Sequence, residues 1–406
     1  MYKVTIINDG IETVIHHPAF GQPKLQSGQI KQEINKADGF IFMILPNNPG
    51  YNLIHPLKTL IKVLNLKTGK LEFDGRVLSP TENMAESGAF AKSYHCESEL
   101  GYLNDSAQRH GEYHDISVRD FLQVIIDNHN RDVADDDIDK TFVVGEVTVT
   151  DPNDSLYRYL GYESTLDTIF DKLIDRLGGE LQVRKENGVR YLDYLQNPGE
   201  LKETEIRLSK NLKSITKEVD PSEIITRLIP LGTRIESDDS DATDASQARL
   251  TIESVNNGKD YIVDEDMENA LGTVVVKSHV WDDITVPSIL KTRGEQFLAN
   301  NNRVKVKYTI DALDLFLLEK DPNQFEVGNY HRVINPVMNI DENLRIVGKT
   351  VDILYPNQNS LIVGDLFKTA SQYQFEANKS ASKVFELEGV VNTQSSRIRG
   401  LLEQVN

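Results

Sequence analysis

Three short runs of β-branched and aromatic residues lie in the carboxyl-terminal part of the chain, at 325–334, 343–355 and 360–365. Clusters of Asn, Pro, Gly and Asp divide them. Runs of this kind, separated by turn residues, predict an antiparallel meander. Because an open sheet edge exposes unpaired backbone groups, we expect this sheet to close or to be covered, and we predict a small β-barrel.

The first 105 residues also show strand patterns. An apolar run at 40–45 ends in a turn cluster, and the runs at 60–66 and 71–77 flank a Gly-containing turn, which predicts a hairpin. Apolar and acidic residues alternate in the second of these runs, so one face is expected inside and one in water. We predict a first β-barrel domain over residues 1–108.

Helical periodicity begins after residue 115. Ser117 with Asp120 and Ser164 with Asp167 resemble capping boxes, and each pair precedes apolar residues at helical spacing. The second helix is expected to end at the glycine pair 178–179, and a hairpin is expected around the Asn-Gly pair 187–188. These signals predict an α+β domain over residues 109–205.

Strand patterns resume at residue 206 and return after a predicted helix at 287–300. The polar, acidic stretch 236–244 predicts a mobile surface loop. We therefore predict a second β-barrel over residues 206–371, with an insertion at about 236–302.

Residues 372–406 are predicted to form a C-terminal helix. Apolar side chains recur there at alternating spacings of three and four, with Gln394 in the remaining slot: Val384, Leu387, Val391, Ile398, Leu401 and Val405. This pattern favours a coiled coil over an amphipathic helix packed on its own domain. The predicted fold class is thus α+β and mainly β, with two small β-barrel domains, inserted α+β domains and a C-terminal helix.

Composition narrows the classes of function. The 406 residues carry 44 Lys plus Arg against 63 Asp plus Glu, a net charge of -19 that disfavours gripping a nucleic-acid duplex. No apolar run approaches the roughly 20 residues that span a bilayer, and the first residues form a strand pattern and not a signal peptide. The single Cys96 excludes an internal disulfide, which is typical of synthesis in a reducing cytoplasm.

Several residues are candidates for chemistry. His110 and His114 flank Glu112, but the offset differs from the zincin motif, and a polar linker is favoured. His95 and Cys96 have the residue types of a catalytic base and nucleophile, but a buried Cys at a strand end is the favoured interpretation.

An acidic run offers one metal pattern. Asp135, Asp137, Asp139 and Glu146 occupy the first, third, fifth and twelfth positions of a calcium loop, but Lys140 stands where the loop needs Gly. A solvated loop is favoured over calcium. Phosphate-loop, dinucleotide and nucleophile-elbow motifs are absent from the sequence. The sequence therefore predicts no catalytic, cofactor-binding or metal-binding residues and no cofactor.

The order and spacing of three segments carry a family resemblance: residues 226–232, 325–328 and 344–365. The chain resembles the amino-terminal hub region of the prophage endopeptidase tail, or tail-associated lysin, family of long-tailed phages and prophages of Gram-positive bacteria. That family is similar in fold to the baseplate hub protein of contractile-tailed phages.

The resemblance implies a structural, non-enzymatic protein of the virion, made in the host cytoplasm and placed at the tail tip. It implies a homotrimer that closes the tail tube, contacts the distal tail protein, the tape-measure protein and other tail-tip proteins, and lets DNA pass without specific binding or membrane insertion. A peptidase would belong to a domain beyond the hub. The alternative functions are a peptidoglycan endopeptidase and a receptor- or carbohydrate-binding module. Trp281 is the aromatic candidate for the binding module, but a core or interface tryptophan is the favoured interpretation of this residue.

Overall fold

The computed structural model describes residues 1–151, 158–221, 224–235, 248–282, 284–301 and 305–365. The chain forms two compact units. The first consists of Met1–Lys217 and Lys307–Asp365, and the second contains residues 218–306. The predicted loop at 236–244 and the predicted helix at 372–406 lie outside the described residues.

Seven strands with alternating apolar residues open the first unit. They are β1 (Tyr2–Asn8), β2 (Ile11–His16), β3 (Ser27–Glu33), β4 (Gly39–Ile44), β5 (Leu60–Asn65), β6 (Leu71–Met84) and β7 (Phe90–Ser98). The rings of Phe40, Phe42 and Tyr94 stack in their core, with neighbouring centroids 5.2 and 5.3 Å apart. The strands and the hairpin predicted for this region are confirmed by β4, β5 and β6, but the predicted alternation is wrong at the start of β6, where Leu71 is exposed and Glu72 is buried.

A 3-10 helix, Glu99–Asp105, leads into residues 106–195, which we call the α+β body. Its elements are β8 (Gly111–Tyr113), α1 (Val118–Asp132), β9 (Val143–Val147), β10 (Arg158–Leu160), α2 (Thr165–Ile169), α3 (Asp175–Leu177), β11 (Glu180–Glu186) and β12 (Val189–Leu195). Helix α1 buries its apolar stripe against β9 and β12. Because Asn187 and Gly188 have φ of 52° and 82°, they form the tight turn predicted between β11 and β12.

Both predicted helix starts are confirmed. The Ser117 hydroxyl accepts from the Asp120 amide, and the Ser164 hydroxyl accepts from the Asp167 amide, each at 3.1 Å. The second helix differs from the prediction because a π-helical turn, Phe170–Ile174, separates α2 from α3. A wider turn of this kind cannot be read from a 3.6-residue apolar pattern.

Two strands, β13 (Ile206–Arg207) and β14 (Leu212–Asp220), precede the second unit. That unit contains β15 (Arg227–Leu231), a 3-10 turn Glu253–Val255, β16 (Ile262–Val263), α4 (Glu265–Leu271), β17 (Val276–Val280) and α5 (Pro287–Asn301). Its sheet has the order β16-β15-β17, with β15 and β17 parallel. Helix α5 confirms the helix predicted at 287–300.

The chain then returns to the first unit and completes the predicted antiparallel meander. Its strands are β18 (Lys305–Ala312), β19 (Tyr330–Asn335), β20 (Ile340–Asp352) and β21 (Ser360–Gly364), with 3-10 turns at Leu315–Leu318, Pro336–Met338 and Pro356–Gln358. β20 pairs antiparallel with β19, β21 and β3. The meander is therefore hydrogen-bonded to the amino-terminal strands.

A 13-stranded sheet results, with the main path β14-β18-β21-β20-β3-β4-β7-β6-β5-β1-β2. This sheet confirms the mainly β class. Across the described residues the path runs open from β14 to β2, so the two closed barrels stay a prediction, as does the four-domain division. Among the described helices, none has the length and apolar character needed to span a membrane.

Candidate functional site

A partly buried ionic cluster lies where the 3-10 helix Glu99–Asp105 meets β6 and β7. The guanidinium of Arg76 donates to Glu97 at 2.6 and 2.8 Å and to Asp105 at 2.5 and 2.8 Å. Lys140 pairs with the same Asp105 at 2.7 Å. Burial opposes ionisation of Asp105, but the hydrogen bonds from Arg76 and Lys140 lower its pKa below the usual range.

The cluster continues into the α+β body through Arg190 on β12. Arg190 donates to Glu99 at 2.6 Å and to the Thr141 carbonyl at 2.8 Å, and Lys185 reaches Glu99 at 2.7 Å. The Tyr102 ring contacts two guanidinium groups, since those of Arg190 and Arg76 lie 5.1 and 5.2 Å from its centroid. Arg190 and Lys185 thus tie the α+β body to the 3-10 helix Glu99–Asp105, and Arg76 ties that helix to the amino-terminal sheet.

A second set of contacts joins the α+β body to the meander and to the loop after β3. Arg345 on β20 forms a bidentate pair with Glu180, one contact of which measures 2.9 Å, and donates from Nε to the Gly328 carbonyl at 2.6 Å. The Asn35 side chain bonds the Gly179 carbonyl and the Leu181 amide at 3.0 and 2.9 Å. Within the first unit, the α+β body is thus held by two separate sets of polar contacts.

Phe325 is the centre of a buried polar shell. The Lys349 ammonium donates to its carbonyl at 2.6 Å, and the Asp314 carboxylate accepts from its amide at 3.3 Å. His331 meets its ring edge-on at 5.0 Å and bonds the Thr204 carbonyl at 2.7 Å through Nδ1. Nδ1 therefore carries the proton.

Two atoms of this shell, Asp314 Oδ1 and His331 Nε2, are buried and lack a hydrogen-bond partner among the described residues. Burial lowers the pKa of His331 and of Lys349 and raises the pKa of Asp314. All three shifts disfavour the charged form, as expected for groups removed from water. Sequence reasoning missed this shell because its members come from four separate segments.

His95 and Cys96 do not form a nucleophile pair. They are neighbours on β7, so their side chains point to opposite faces of the sheet. His95 is exposed, whereas Cys96 is buried and its burial raises the pKa of the thiol. The buried-cysteine interpretation is confirmed.

His110 and His114 are both exposed and lie at either end of the short strand β8. Asp135, Asp137 and Asp139 follow α1 in an exposed loop, and Glu146 lies on β9. In the described ranges no three His, Cys, Asp or Glu side chains converge in a way that could hold a metal ion.

Acidic residues around Lys140 have partners within the chain. Lys140 pairs with Asp136 at 2.9 Å as well as with Asp105, and Asp139 accepts from the Thr141 hydroxyl at 2.6 Å. An ammonium group therefore occupies the centre of the segment, where a calcium loop would need the glycine of its sharp turn.

One Ser–His contact was not predicted. Ser106 Oγ lies 2.7 Å from His129 Nδ1, and His129 Nε2 lies 2.9 Å from the Lys140 carbonyl. Because a carbonyl only accepts, Nε2 donates and Nδ1 accepts the Ser106 proton. Ser106 and His129 are 6% and 0% exposed, and Ser106 also contacts Thr165 at 2.6 Å. An acyl-transfer site needs an accessible nucleophile, so this contact is a buried link between α1 and α2.

A cavity of about 480 Å³ lies in the first unit, lined by Lys67, Thr68, Phe316, Glu319, Asp321 and Pro322. Its charges are largely paired within the chain. Lys67 meets Glu319 at 3.2 Å, and Asp321 accepts from Lys210 at 2.6 Å. The cavity presents no arrangement of nucleophile and base.

Trp281 belongs to an aromatic cluster in the second unit. Its ring lies 4.4 Å from that of His279 and meets Phe297 of α5 edge-on at 5.7 Å. The Trp281 side chain is partly buried and packs against the hydrophobic cluster formed by Ile225, Leu228 and Leu298. This packing agrees with the interpretation of Trp281 as a core or interface tryptophan.

Residues 201–374 match the model of the prophage endopeptidase tail family. The predicted family resemblance is confirmed. No curated protein sequence matches the chain. The matched region, residues 201–374, includes the meander, the described part of the second unit and the residues of the Phe325 shell.

Solved structures extend the likeness of fold beyond the prophage tail match. The tail protein of Neisseria meningitidis MC58 is 15% identical, with a TM-score of 0.57 over 90% of this chain and 96% of its own. The 43 kDa tail protein of prophage MuSo2 from Shewanella oneidensis is 12% identical, with a TM-score of 0.59 over 90% and 98%.

The prophage tail protein gp18 from Listeria monocytogenes EGD-e is 14% identical, with a TM-score of 0.54 over 93% of this chain and 98% of its own. At these identities the likeness shows a shared fold. It covers the amino-terminal sheet and the α+β body as well as the region of the family match.

Proposed function

We propose that the chain is a structural protein of a phage tail, acting as a trimeric hub at the tail tip. The family match over residues 201–374 carries this proposal, and the fold shared with three tail proteins over nine-tenths of the chain supports it. In the hub, residues 1–108 and 206–371 form the two barrels of each subunit, and three subunits make a ring.

The interior of the first unit suits a load-bearing ring subunit. The Arg190–Glu99 contact ties the α+β body to the 3-10 helix that precedes it, and the Arg345–Glu180 pair ties the body to β20 of the large sheet. Buried, charge-assisted contacts of this kind resist relative motion of the parts they join. A closure for a tail tube needs such rigidity, whereas a catalytic lid would need mobile segments.

The charge supports passage of DNA through the ring. Each chain carries a net charge of -19, so three copies form a strongly negative assembly. A negative inner wall repels the phosphate backbone, and DNA then slides without sticking. A density map that shows a basic channel wall would contradict this part of the proposal.

The proposed partners are the distal tail protein on one side of the ring and the tape-measure protein and other tail-tip proteins on the other. The heptad segment at 384–405 lies beyond the barrels and suits a coiled coil on the threefold axis. The proposed location is the tail tip of the virion.

Light scattering of the purified chain coupled to gel filtration tests the assembly. We expect three copies of the 45.9 kDa chain, about 138 kDa, and ring-shaped particles in negative-stain images. A mass of one chain, both alone and with the distal tail ring added, would contradict the trimeric hub.

Only the family's description favours the alternative, a peptidoglycan endopeptidase. A zymogram on purified cell walls separates the two functions. We expect no clearing by the purified chain. Clearing that one point substitution abolishes, in a variant that still folds, would favour the enzyme.

A further inference from the structure

The hairpin formed by β6 and β7 extends past its neighbouring strands. On β6, pairing with β5 ends at Arg76, and on β7, pairing with β4 ends at Lys92. The pairing of β6 with β7 continues as far as Met84, which lies opposite Phe90. Residues 79–91, which we call the arm, therefore form a ribbon whose two strands, among the strands described, pair only with each other.

Both faces of the arm are in water. Residues 79–90 are all exposed, although side chains along a strand alternate between its two faces. The cross-strand pair Met84 and Phe90 lies beside the turn, and these side chains are 62% and 53% exposed. A two-stranded ribbon without a covering layer is only marginally stable in water. Burial of this apolar pair against another surface would therefore favour association.

The cavity of about 480 Å³ lies at the other end of β6. Lys67 and Thr68 line it from the turn before β6, and the other lining residues come from the 3-10 turn Leu315–Leu318 and the loop that follows. Phe316 and Pro322 give it apolar walls. Apolar side chains next to the lining residues or at the start of β6 are also exposed: Leu66 at 42%, Leu71 at 40% and Leu318 at 64%. An apolar arm suits this surface.

Charge at the two surfaces is complementary. Glu86 lies in the turn of the arm, and Lys320 lies between Glu319 and Asp321, which line the cavity. Both Glu86 and Lys320 are exposed, and neither forms an ion pair within the described ranges. Lys67, by contrast, pairs with Glu319 at 3.2 Å. An exposed acid on one surface and an exposed lysine on the other favour contact between them.

The arm and the cavity lie too far apart to meet within one chain. Leu71, beside the cavity, and Met84, on the arm, are the two ends of the same 14-residue strand. A strand of this length is about 40 Å long. Two different surfaces at opposite ends of one element join copies head to tail, and such an interface generates a ring when its rotation closes.

We propose that the arm of one chain packs into the cavity of a second copy of this chain. The Met84 and Phe90 side chains cover the apolar walls of the cavity, and Glu86 pairs with Lys320 of the second copy. This inference rests on the proposed trimeric hub, since three such contacts close its ring.

Disulfide trapping in the full chain tests the contact. Cys96 is the single cysteine and is buried, so introduced cysteines react with a low background. We expect a variant with Met84→Cys and Leu318→Cys to give a three-chain band on a non-reducing gel after mild oxidation. A mixture of chains that carry one substitution each should give two-chain products only. The matched control combines Met84→Cys with Ile11→Cys, because Ile11 is 71% exposed but lies on β2.

Light scattering of the same samples separates this inference from the hub. A three-chain mass with cross-linking no faster than in the control would contradict the arm contact and leave the hub in place. A mass of one chain without cross-links would contradict both. Disulfides between chains that carry Met84→Cys alone would mean that two arms meet each other. Protection of Met84→Cys from alkylation only after the distal tail protein is added would mean that this protein covers the arm.

A charge exchange supplies a second measurement that needs no cysteine. Glu86→Lys brings two cations together, so we expect it to raise the concentration at which half of the chains are assembled about fivefold. The double variant Glu86→Lys, Lys320→Glu should restore the parent value. Glu112→Lys, at an exposed position on β8, is the control for net charge. The pairing is contradicted if Glu86→Lys behaves like this control or if the double variant does not recover.

Discussion

Arg345 on β20 and Glu180 at the start of β11 form a bidentate ion pair whose side chains are 12% and 10% exposed. The pair joins the last large strand of the chain to the α+β body across 165 positions of sequence. Arg345 also bonds the Gly328 carbonyl, so one guanidinium fixes three segments. This long-range contact holds the α+β body to the meander, although the sequence predicts them as separate domains.

Replacement of Arg345 should therefore destabilise the first unit. We expect Arg345→Ala to lower the free energy of unfolding by about 3 kcal/mol, because Glu180 is left buried and unpaired. Urea titration followed by near-UV circular dichroism measures the loss. Arg332→Ala is the matched control, since Arg332 forms a bidentate pair with Asp341 that is half-exposed. The control should show no measurable loss. Equal effects of the two variants would contradict a special role for the buried pair.

Asp38 gives a prediction with a pH dependence of defined sign. Burial raises the pKa of its carboxyl to about 6, against the opposing hydrogen bond from Gln32. The unfolded chain ionises this group near pH 4, whereas the folded chain does so only near pH 6. Folding therefore carries a cost that grows between pH 4 and 6 and is constant above pH 6.

Removal of that carboxyl should stabilise the protein only at the higher pH. We expect Asp38→Asn to raise the free energy of unfolding by about 2 kcal/mol at pH 8 and to have no effect at pH 4. Thermal unfolding of the two proteins across this pH range provides the measurement. A stabilisation that does not vary with pH would show that the carboxyl's ionisation is not its cause.

The sequence predicted local structure well where a short-range signal exists. Ser117 and Ser164 start helices, and the Asn187–Gly188 turn makes its hairpin, because each signal acts between residues three or four positions apart. The pairing of β20 with β3 depends on residues more than three hundred positions apart, and no local pattern encodes it. For this reason strands from the two predicted barrels share one sheet.

For the candidate sites too, contacts between residues far apart in sequence could not be predicted. Cys96 could be assigned to the core because a free cysteine at a strand end is usually buried, but the Ser106–His129 contact and the Phe325 shell could not be predicted. Their partners come from different elements, and neither the spacing nor the residue types mark them. Among the described residues, the Asp314 Oδ1 and His331 Nε2 atoms lack a hydrogen-bond partner because of how the segments pack, which no local sequence pattern shows.

His331 should make the first unit sensitive to mild acid. Burial lowers its pKa, and Lys202 opposes its protonation while Glu326 favours it. The unfolded chain therefore binds a proton near pH 6.5 that the folded chain binds only at lower pH. Stability from this residue is fully present above pH 6.5 and falls as pH drops through the folded pKa.

The variant His331→Gln keeps a donor for the Thr204 carbonyl but does not titrate. We expect its free energy of unfolding to fall less than that of the parent between pH 7 and 5, as measured by urea titration at each pH. His110→Gln, at an exposed position, serves as the control and should follow the parent. If His331→Gln keeps the full pH dependence of the parent, another group is responsible.

Close contact between two loops of the first unit provides the last prediction. A Cβ atom at Gly199 would lie 1.9 Å from the Gly328 carbonyl oxygen, an atom of the backbone that Arg345 also holds. Since neither group can swing away, Gly199→Ala should force the loops apart and cost about 3 kcal/mol of unfolding free energy. Gly39→Ala is the matched control, because its nearest atom, the Cys96 carbonyl oxygen, is 3.9 Å away. We expect that variant to unfold like the parent in urea. A Gly199→Ala protein as stable as the control would show that the two loops separate without cost.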